Sequence, residues 1–189
     1  MVIRNRIRSV PLICLLAVLP IVGCKSAGNS QSSAKEIIGK DDRVKITDPK
    51  LRSRLGLLHV GDHKCNAALI GAGRIMTVEH CLGEKASQFV GFTFTNFEGK
   101  SAKVTEILGL DAKKDLAIYD LSRSDFSFFE MSFDAKVTDK IKLAGYDVDS
   151  ESELESNCTV DQVIPASGVM TYNCDTKPGM SGSAILRGL

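Results

Sequence analysis

Cys65-Asn66-Ala67-Ala68-Leu69-Ile70, then Gly71-Ala72-Gly73, then Arg74-Ile75-Met76-Thr77-Val78 is the stretch on which the fold turns. Two β-prone runs separated by Gly-x-Gly read as a hairpin. Outward from it, short apolar stretches recur with turn signals between them. Upstream lies Leu55–Val60. Downstream come Gln88–Thr95, Ala102–Leu108 and Leu116–Leu121, followed by Lys140–Tyr146, Cys158–Ile164, Val169–Asn173 and Ser183–Leu186. Many short strands at roughly even spacing, with little helical periodicity, predict an all-β barrel or sandwich. The acidic stretch Asp147–Glu155 reads as a solvated loop. No internal repeat is visible.

Composition sets the class. The chain has 189 residues, 43% hydrophobic and 25% charged, with 24 basic against 23 acidic side chains. Those are values of an ordinary globular domain, and the near-neutral balance argues against a nucleic-acid protein, which would show a strongly basic face. The balance is uneven along the chain. Residues 1–23 hold Arg4, Arg6 and Arg8 and no acid, so the remaining 166 residues carry 21 basic and 23 acidic groups.

Three positive charges followed by an apolar run from Val10 to Gly23 form the layout of a secretory signal, too short to span a bilayer. The run ends Ile21-Val22-Gly23-Cys24, which resembles the bacterial lipobox, whose cysteine is lipidated and becomes the mature N-terminus. The other reading is a plain secretion signal with an incidental cysteine. Residues 24–44 then begin as a Ser-rich tether with nothing to bury. Both readings export the chain, to a bacterial cell envelope as a lipid-anchored protein (periplasmic or outer-surface) or as a secreted one. Lys25 in place of Asp after the lipobox leans toward the outer membrane. The organisation expected is a signal at 1–23, a tether at 24–44 and one β domain at 45–189.

Of six cysteines, Cys14 lies in the signal and Cys24 would carry lipid. Cys65, Cys81, Cys158 and Cys174 remain. An even number in an exported chain predicts two disulfides, with three pairings possible. A zinc site competes with that reading, but no CxxC pair is present. One pairing can be examined by position. Cys158 and Cys174 lie symmetrically about Pro165-Ala166-Ser167-Gly168, a turn sequence, so strands folded about that turn would set them face to face.

Three separated pieces carry chemistry: Thr77-Val78-Glu79-His80-Cys81, Lys114-Asp115-Leu116-Ala117-Ile118-Tyr119, and Asp175-Thr176-Lys177-Pro178-Gly179-Met180-Ser181-Gly182-Ser183. Each alone is weak. A histidine after a strand is commonly structural, and an Asp before one is commonly a turn residue. Glycines flanking a serine are more specific, because tight backbone can expose Oγ and aim N–H groups at one point. His59 and His63 have no comparable context and read as surface or structural residues.

In the order His, Asp, Ser, these pieces resemble the chymotrypsin-like serine protease family. Thr77-Val78-Glu79-His80-Cys81 is similar to its Thr-Ala-Ala-His-Cys, and Asp115-Leu116-Ala117-Ile118 to its Asp-Leu/Ile-Ala-Leu. Gly179-Met180-Ser181-Gly182-Ser183 is similar to Gly-Asp-Ser-Gly-Gly, and closer to the Gly-x-Ser-Gly-Ser of the bacterial glutamyl endopeptidase branch. The resemblance runs from about Leu55 to the chain end. It implies two antiparallel six-stranded Greek-key barrels with the site between them, the first at about 45–125 and a partial second at about 126–189.

It also implies roles. Ser181 would be the nucleophile, His80 its base, and Asp115 the group that holds the His80 tautomer. The N–H groups of Gly179 and Ser181 would form the oxyanion hole. Cys65 and Cys81 would form the disulfide beside the catalytic histidine. Because His80 must be neutral to accept a proton, activity should fall below about pH 6.5. The substrate is a polypeptide, the expected state a monomer, and no metal or organic cofactor is implied.

Three departures restrict the resemblance. The residue before the serine is Met180, where trypsin-type enzymes carry an Asp that pairs with a freed N-terminus, so that switch cannot operate in the same form. Asp175 stands where trypsins select Lys or Arg, while Thr176 stands where glutamyl endopeptidases bind glutamate, so the residue cleaved after stays open. Eight residues follow Ser181, whereas the family continues with two more strands. The second barrel is therefore expected to be incomplete, with Ser183–Leu186 an exposed apolar edge. The alternative to an active serine endopeptidase is a truncated, catalytically inactive binding or remnant module.

Overall fold

The computed structural model describes residues 37–38, 40–82, 91–165 and 168–188. The signal, Cys24 and most of the tether lie outside the described residues. The chain divides into Met1–Ser33 and Ala34–Leu189, and only the second unit contains described residues. Among these, no helix is long and apolar enough to cross a membrane.

Among the described residues, eleven strands and one short helix follow in order: β1 (Val44–Lys45), α1 (Pro49–Arg52), β2 (Leu55–Val60), β3 (His63–Gly71), β4 (Arg74–Thr77), β5 (Thr93–Asn96), β6 (Ser101–Asp111), β7 (Leu116–Leu121), β8 (Lys140–Asp147), β9 (Ser152–Ile164), β10 (Val169–Tyr172) and β11 (Ala184–Arg187). Strands β2-β3-β4-β7-β6-β5 close into an antiparallel barrel. The remainder form an open sheet ordered β1-β9-β8-β11, with β10 paired to β9. The all-β expectation of one complete barrel and one partial barrel is met.

The alternation of apolar residues explains the barrel. Along β7, Ala117, Tyr119 and Leu121 are buried and the residues between them are less so, the period-two pattern of a half-buried strand. With Leu58, Leu69, Ile75 and Phe94 they fill one core, each large side chain stabilising by about 1.5–3 kcal/mol. Strand β3 breaks the alternation, being buried continuously from Cys65 to Leu69. Its two faces serve different cores. Ala67 and Leu69 point into the barrel, while Ala68 packs with Leu55, Ala144 and Leu186 between barrel and sheet. Small Ala68 permits that close approach. A third core, containing Ile141, Leu143, Val160, Cys174 and Met180, lies in the open sheet.

Four expectations are corrected. Asp147–Glu155 is not a solvated loop: β8 ends at Asp147, which is fully buried, and β9 starts at Ser152 after a tight turn. Pairing to β8 from Asp147↔Ser152 onward draws this acidic segment into the sheet. Residues 44–45 pair with β9 rather than with the first barrel. Leu186 is buried against the barrel rather than exposed on an edge. The fourth correction concerns cysteines. Cys158 and Cys174 are bonded, with Cα atoms 4.9 Å apart, but Cys65 and Cys81 are free thiols. The Cys65 thiol is pushed up by its interaction with Cys81 and by burial.

The Cys158–Cys174 bond depends on a bulge. The β9–β10 register shifts by one residue between Thr171 and Tyr172, which then opposes Val160. Continued along the strands, that register puts Cys174 opposite Cys158.

Candidate active site

Strand pairing brings the first two functional side chains together. In the antiparallel pair β4–β7, Thr77 opposes Ala117. The C-terminal end of β4 therefore lies beside the N-terminal end of β7. His80, three residues past Thr77, and Asp115, two before Ala117, meet at that end. Asp115 adopts a left-handed backbone, φ +51°, which Asp tolerates better than most residues. One carboxylate oxygen accepts the His80 backbone N–H at 2.8 Å, and the other lies 2.6 Å from His80 Nδ1. Burial tends to raise the Asp115 carboxyl, but hydrogen bonds from His80 main chain and ring lower it overall. The His80 imidazolium is favoured by the same hydrogen bond, partly offset by desolvation, so its pKa is raised.

Ser181 arrives from the open sheet, on the loop between β10 and β11. Its Oγ lies 3.0 Å from His80 Nε2. With Nδ1–H donating to Asp115, Nε2 presents a lone pair toward Ser181 Oγ–H. The His80 side chain is 57% exposed and that of Asp115 44%, so the constellation lies open to solvent.

The loop is held against β3. Asn66 N–H donates to the Ser181 carbonyl at 3.1 Å. A Cβ on Gly182 would lie 2.1 Å from the Asn66 carbonyl oxygen, and Gly182 has φ +82°, so glycine is required there on both counts. Lys177-Pro178-Gly179-Met180 forms a turn closed by Met180 N–H to the Lys177 carbonyl at 3.1 Å. Proline at the second position and φ +92° at Gly179 give it the pattern of a type II turn. A type I turn would rotate the Gly179 N–H to the opposite side.

Asp175 is placed differently from its expected role. It is 3% exposed, and its two oxygens accept the backbone N–H groups of Ile38 at 2.7 Å and Asp42 at 3.0 Å. Ser156 Oγ donates to the Asp42 carboxylate at 2.9 Å, completing a clasp on the N-terminal segment. The carboxylate thus serves the fold rather than an open pocket. Thr176, its neighbour, is half-buried.

Three further residues around the site were not singled out in the sequence. Asn66 is a buried polar residue within the apolar run of β3, and that anomaly is the readable signal. Arg43 and Asp147 pair at 3.0 Å with both side chains buried, a long-range pairing without a local signature.

The model of the trypsin-like peptidase domain matches residues 65–188. The fold superposes on a Glu endopeptidase solved in complex with MPD, with TM-score 0.64, 22% identity, and coverage of 80% of this chain and 82% of that one. A serine endoprotease from Yersinia pestis aligns with TM-score 0.61 and 11% identity over 73% of this chain and 51% of that one. Deg5 aligns with TM-score 0.55 and 18% identity over 73% and 76%. No curated protein sequence matches the chain. The structural likenesses show the fold, and the family model spans well over half the sequence, so the chain belongs to the trypsin-like peptidase domain family.

Proposed function

We propose that the chain is a serine endopeptidase that hydrolyses peptide bonds through an acyl-enzyme on Ser181. The observation that carries this reading is the continuous relay Ser181 Oγ to His80 Nε2 at 3.0 Å and His80 Nδ1 to Asp115 at 2.6 Å. Ser181 Oγ attacks the scissile carbonyl carbon as its proton passes to Nε2. Asp115 keeps Nδ1 protonated and stabilises the imidazolium. Negative charge developing on the carbonyl oxygen is met by the N–H groups of Gly179 and Ser181, each such donor supplying about 3 kcal/mol. His80 then protonates the departing amine, and a water activated by the same imidazole releases the acyl group.

Selectivity for Lys or Arg is not part of this reading, because the Asp175 carboxylate already holds two amides. Export, with lipid on Cys24, remains our proposal for location. The basic and apolar pattern of residues 4–23 supports it, as does the Cys158–Cys174 bond, which persists in oxidising compartments. Loss of labelled palmitate from a Cys24→Ala chain expressed in bacteria tests the anchor; retained label would refute it.

The activity is tested with the full chain on a quenched fluorescent peptide mixture. Turnover should fall on the order of 10⁶-fold in Ser181→Ala. Equal turnover by both proteins would overturn the mechanism.

A further inference from the structure

We propose that Arg43 is a positioning residue for the turn that carries the Gly179 N–H, acting through Asp147 and Met180; this rests on the serine endopeptidase reading. The Arg43 side chain is 3% exposed. Its Nη1 lies 3.0 Å from Asp147 Oδ2 and 3.4 Å from Met180 Sδ, while Nε and Nη2 reach Asp41 at 2.9 and 2.8 Å. One guanidinium thus touches both the end of β8 and the residue preceding the nucleophile.

Asp147 passes that anchorage on. Its Oδ1 accepts Asp149 N–H at 3.1 Å and its Oδ2 accepts Ser150 Oγ–H at 3.0 Å, so the carboxylate organises the turn that follows β8. Val148, on that turn, packs on Gly179: a Cβ added to Gly179 would stand 3.0 Å from Val148 Cβ and 3.1 Å from its Cγ2. Gly179 is therefore braced by Val148, and Met180 by Arg43 itself. The orientation of the Gly179 peptide depends on both contacts, because a type II turn and its type I alternative differ by rotation of that one peptide.

Arg43 is itself delivered from two sides. On one, Asp175 holds Ile38 and Asp42 through their backbone amides. On the other, Ile46 N–H donates to the Glu153 carbonyl at 2.9 Å and β1 pairs with β9. The N-terminal segment so clamped gives the buried cation one place to go. Here the carboxylate sits on Asp147, and the thioether packs alongside.

A buried ion pair that served stability alone could be replaced by uncharged groups at little cost, and that difference supplies the test. The full chain would be prepared as wild type, Arg43→Met and Arg43→Met/Asp147→Asn, the last leaving no unpaired buried charge. Hydrogen exchange read by mass spectrometry over residues 177–183 should be faster in both variants while residues 55–77 stay protected. Their kcat should fall by roughly tenfold to a hundredfold with KM little changed, as expected when an oxyanion donor is displaced. If Arg43→Met fails to fold, the double variant decides alone. Wild-type protection of 177–183 in the double variant overturns the inference. Absence of turnover by the wild type would refute the endopeptidase reading, and the exchange measurement would still judge Arg43.

Discussion

Asn66 holds Tyr146 by both of its backbone groups: Oδ1 accepts the Tyr146 N–H at 2.5 Å, and Nδ2 donates to the Tyr146 carbonyl at 3.0 Å. The first barrel and the open sheet are stitched by this one amide, on a residue that is 2% exposed. The backbone of Asn66 does as much. Its carbonyl accepts Thr77 Oγ–H at 2.6 Å, on the strand leading to His80, and its N–H holds the Ser181 carbonyl. Base, nucleophile and second sheet are referred to one residue of β3. Asn66→Ala leaves two Tyr146 groups without their partner, at about 1–3 kcal/mol each. The thermal midpoint should drop by about 5–15 °C, measured by circular dichroism. An unchanged midpoint would show that the clamp contributes nothing.

The pH dependence follows from His80. Its pKa is raised, chiefly by the hydrogen bond to Asp115, and the general base must be neutral. The acid limb of kcat/KM should therefore have its midpoint above the ordinary histidine value of about 6.5, higher than the motif alone would place it. The linkage has the corresponding sign. Stability from the protonated pair is fully present below the unfolded pKa and is lost as pH rises through the folded one; with the His80 side chain 57% and that of Asp115 44% exposed, solvent screens the pair and it adds little. In Asp115→Asn the imidazole, followed by NMR, should titrate lower. An unshifted imidazole in that variant would deny the role given to Asp115.

Gly182→Ala tests the seating of the nucleophile. The new Cβ would meet the Asn66 carbonyl oxygen at 2.1 Å and Thr77 Oγ at 2.9 Å, on a backbone with φ +82°. Ser181 must move, and loss of hydrogen-bond geometry with His80 should cost about 10²-fold in kcat. Steady-state kinetics on a peptide ester would measure it. Wild-type kcat would mean that the loop is not seated against β3 as described.

Asp175→Ala separates a specificity role from a structural one. Because the carboxylate holds Ile38 and Asp42, the variant should unfold earlier and expose residues 38–43 to hydrogen exchange. The ratio of cleavage after Lys to cleavage after Ala should stay within about threefold, well short of the discrimination that a paired buried charge provides. Selective loss of cleavage after Lys and Arg would return Asp175 to the substrate pocket.

The all-β class and the His–Asp–Ser order were legible in the sequence because each rests on local pattern, and the resemblance those motifs carry chose barrel over sandwich. Short apolar stretches between turn signals located β2 and β7 at their observed bounds, and the glycines around Ser181 announced an unusual backbone. The Cys158–Cys174 pairing was legible by symmetry about the turn, and the bulge at Tyr172 makes that symmetry hold. What was not legible depends on partners distant in sequence. Asp147–Glu155 reads as a loop until β8 and β1 supply its ladder. Asp175 reads as a pocket residue until amides 133 and 137 positions away occupy it. Arg43 sits among charges on an unremarkable segment, and only the fold carries it to Asp147.

The most direct measurement is covalent labelling of the full chain with a fluorophosphonate probe, located by peptide mass spectrometry. The relay predicts one equivalent of label on Ser181, none in Ser181→Ala, and labelling in His80→Ala slowed on the order of 10⁴-fold or more. Equal labelling of wild type and Ser181→Ala, or an attachment site elsewhere, would contradict the assignment of Ser181 as the nucleophile.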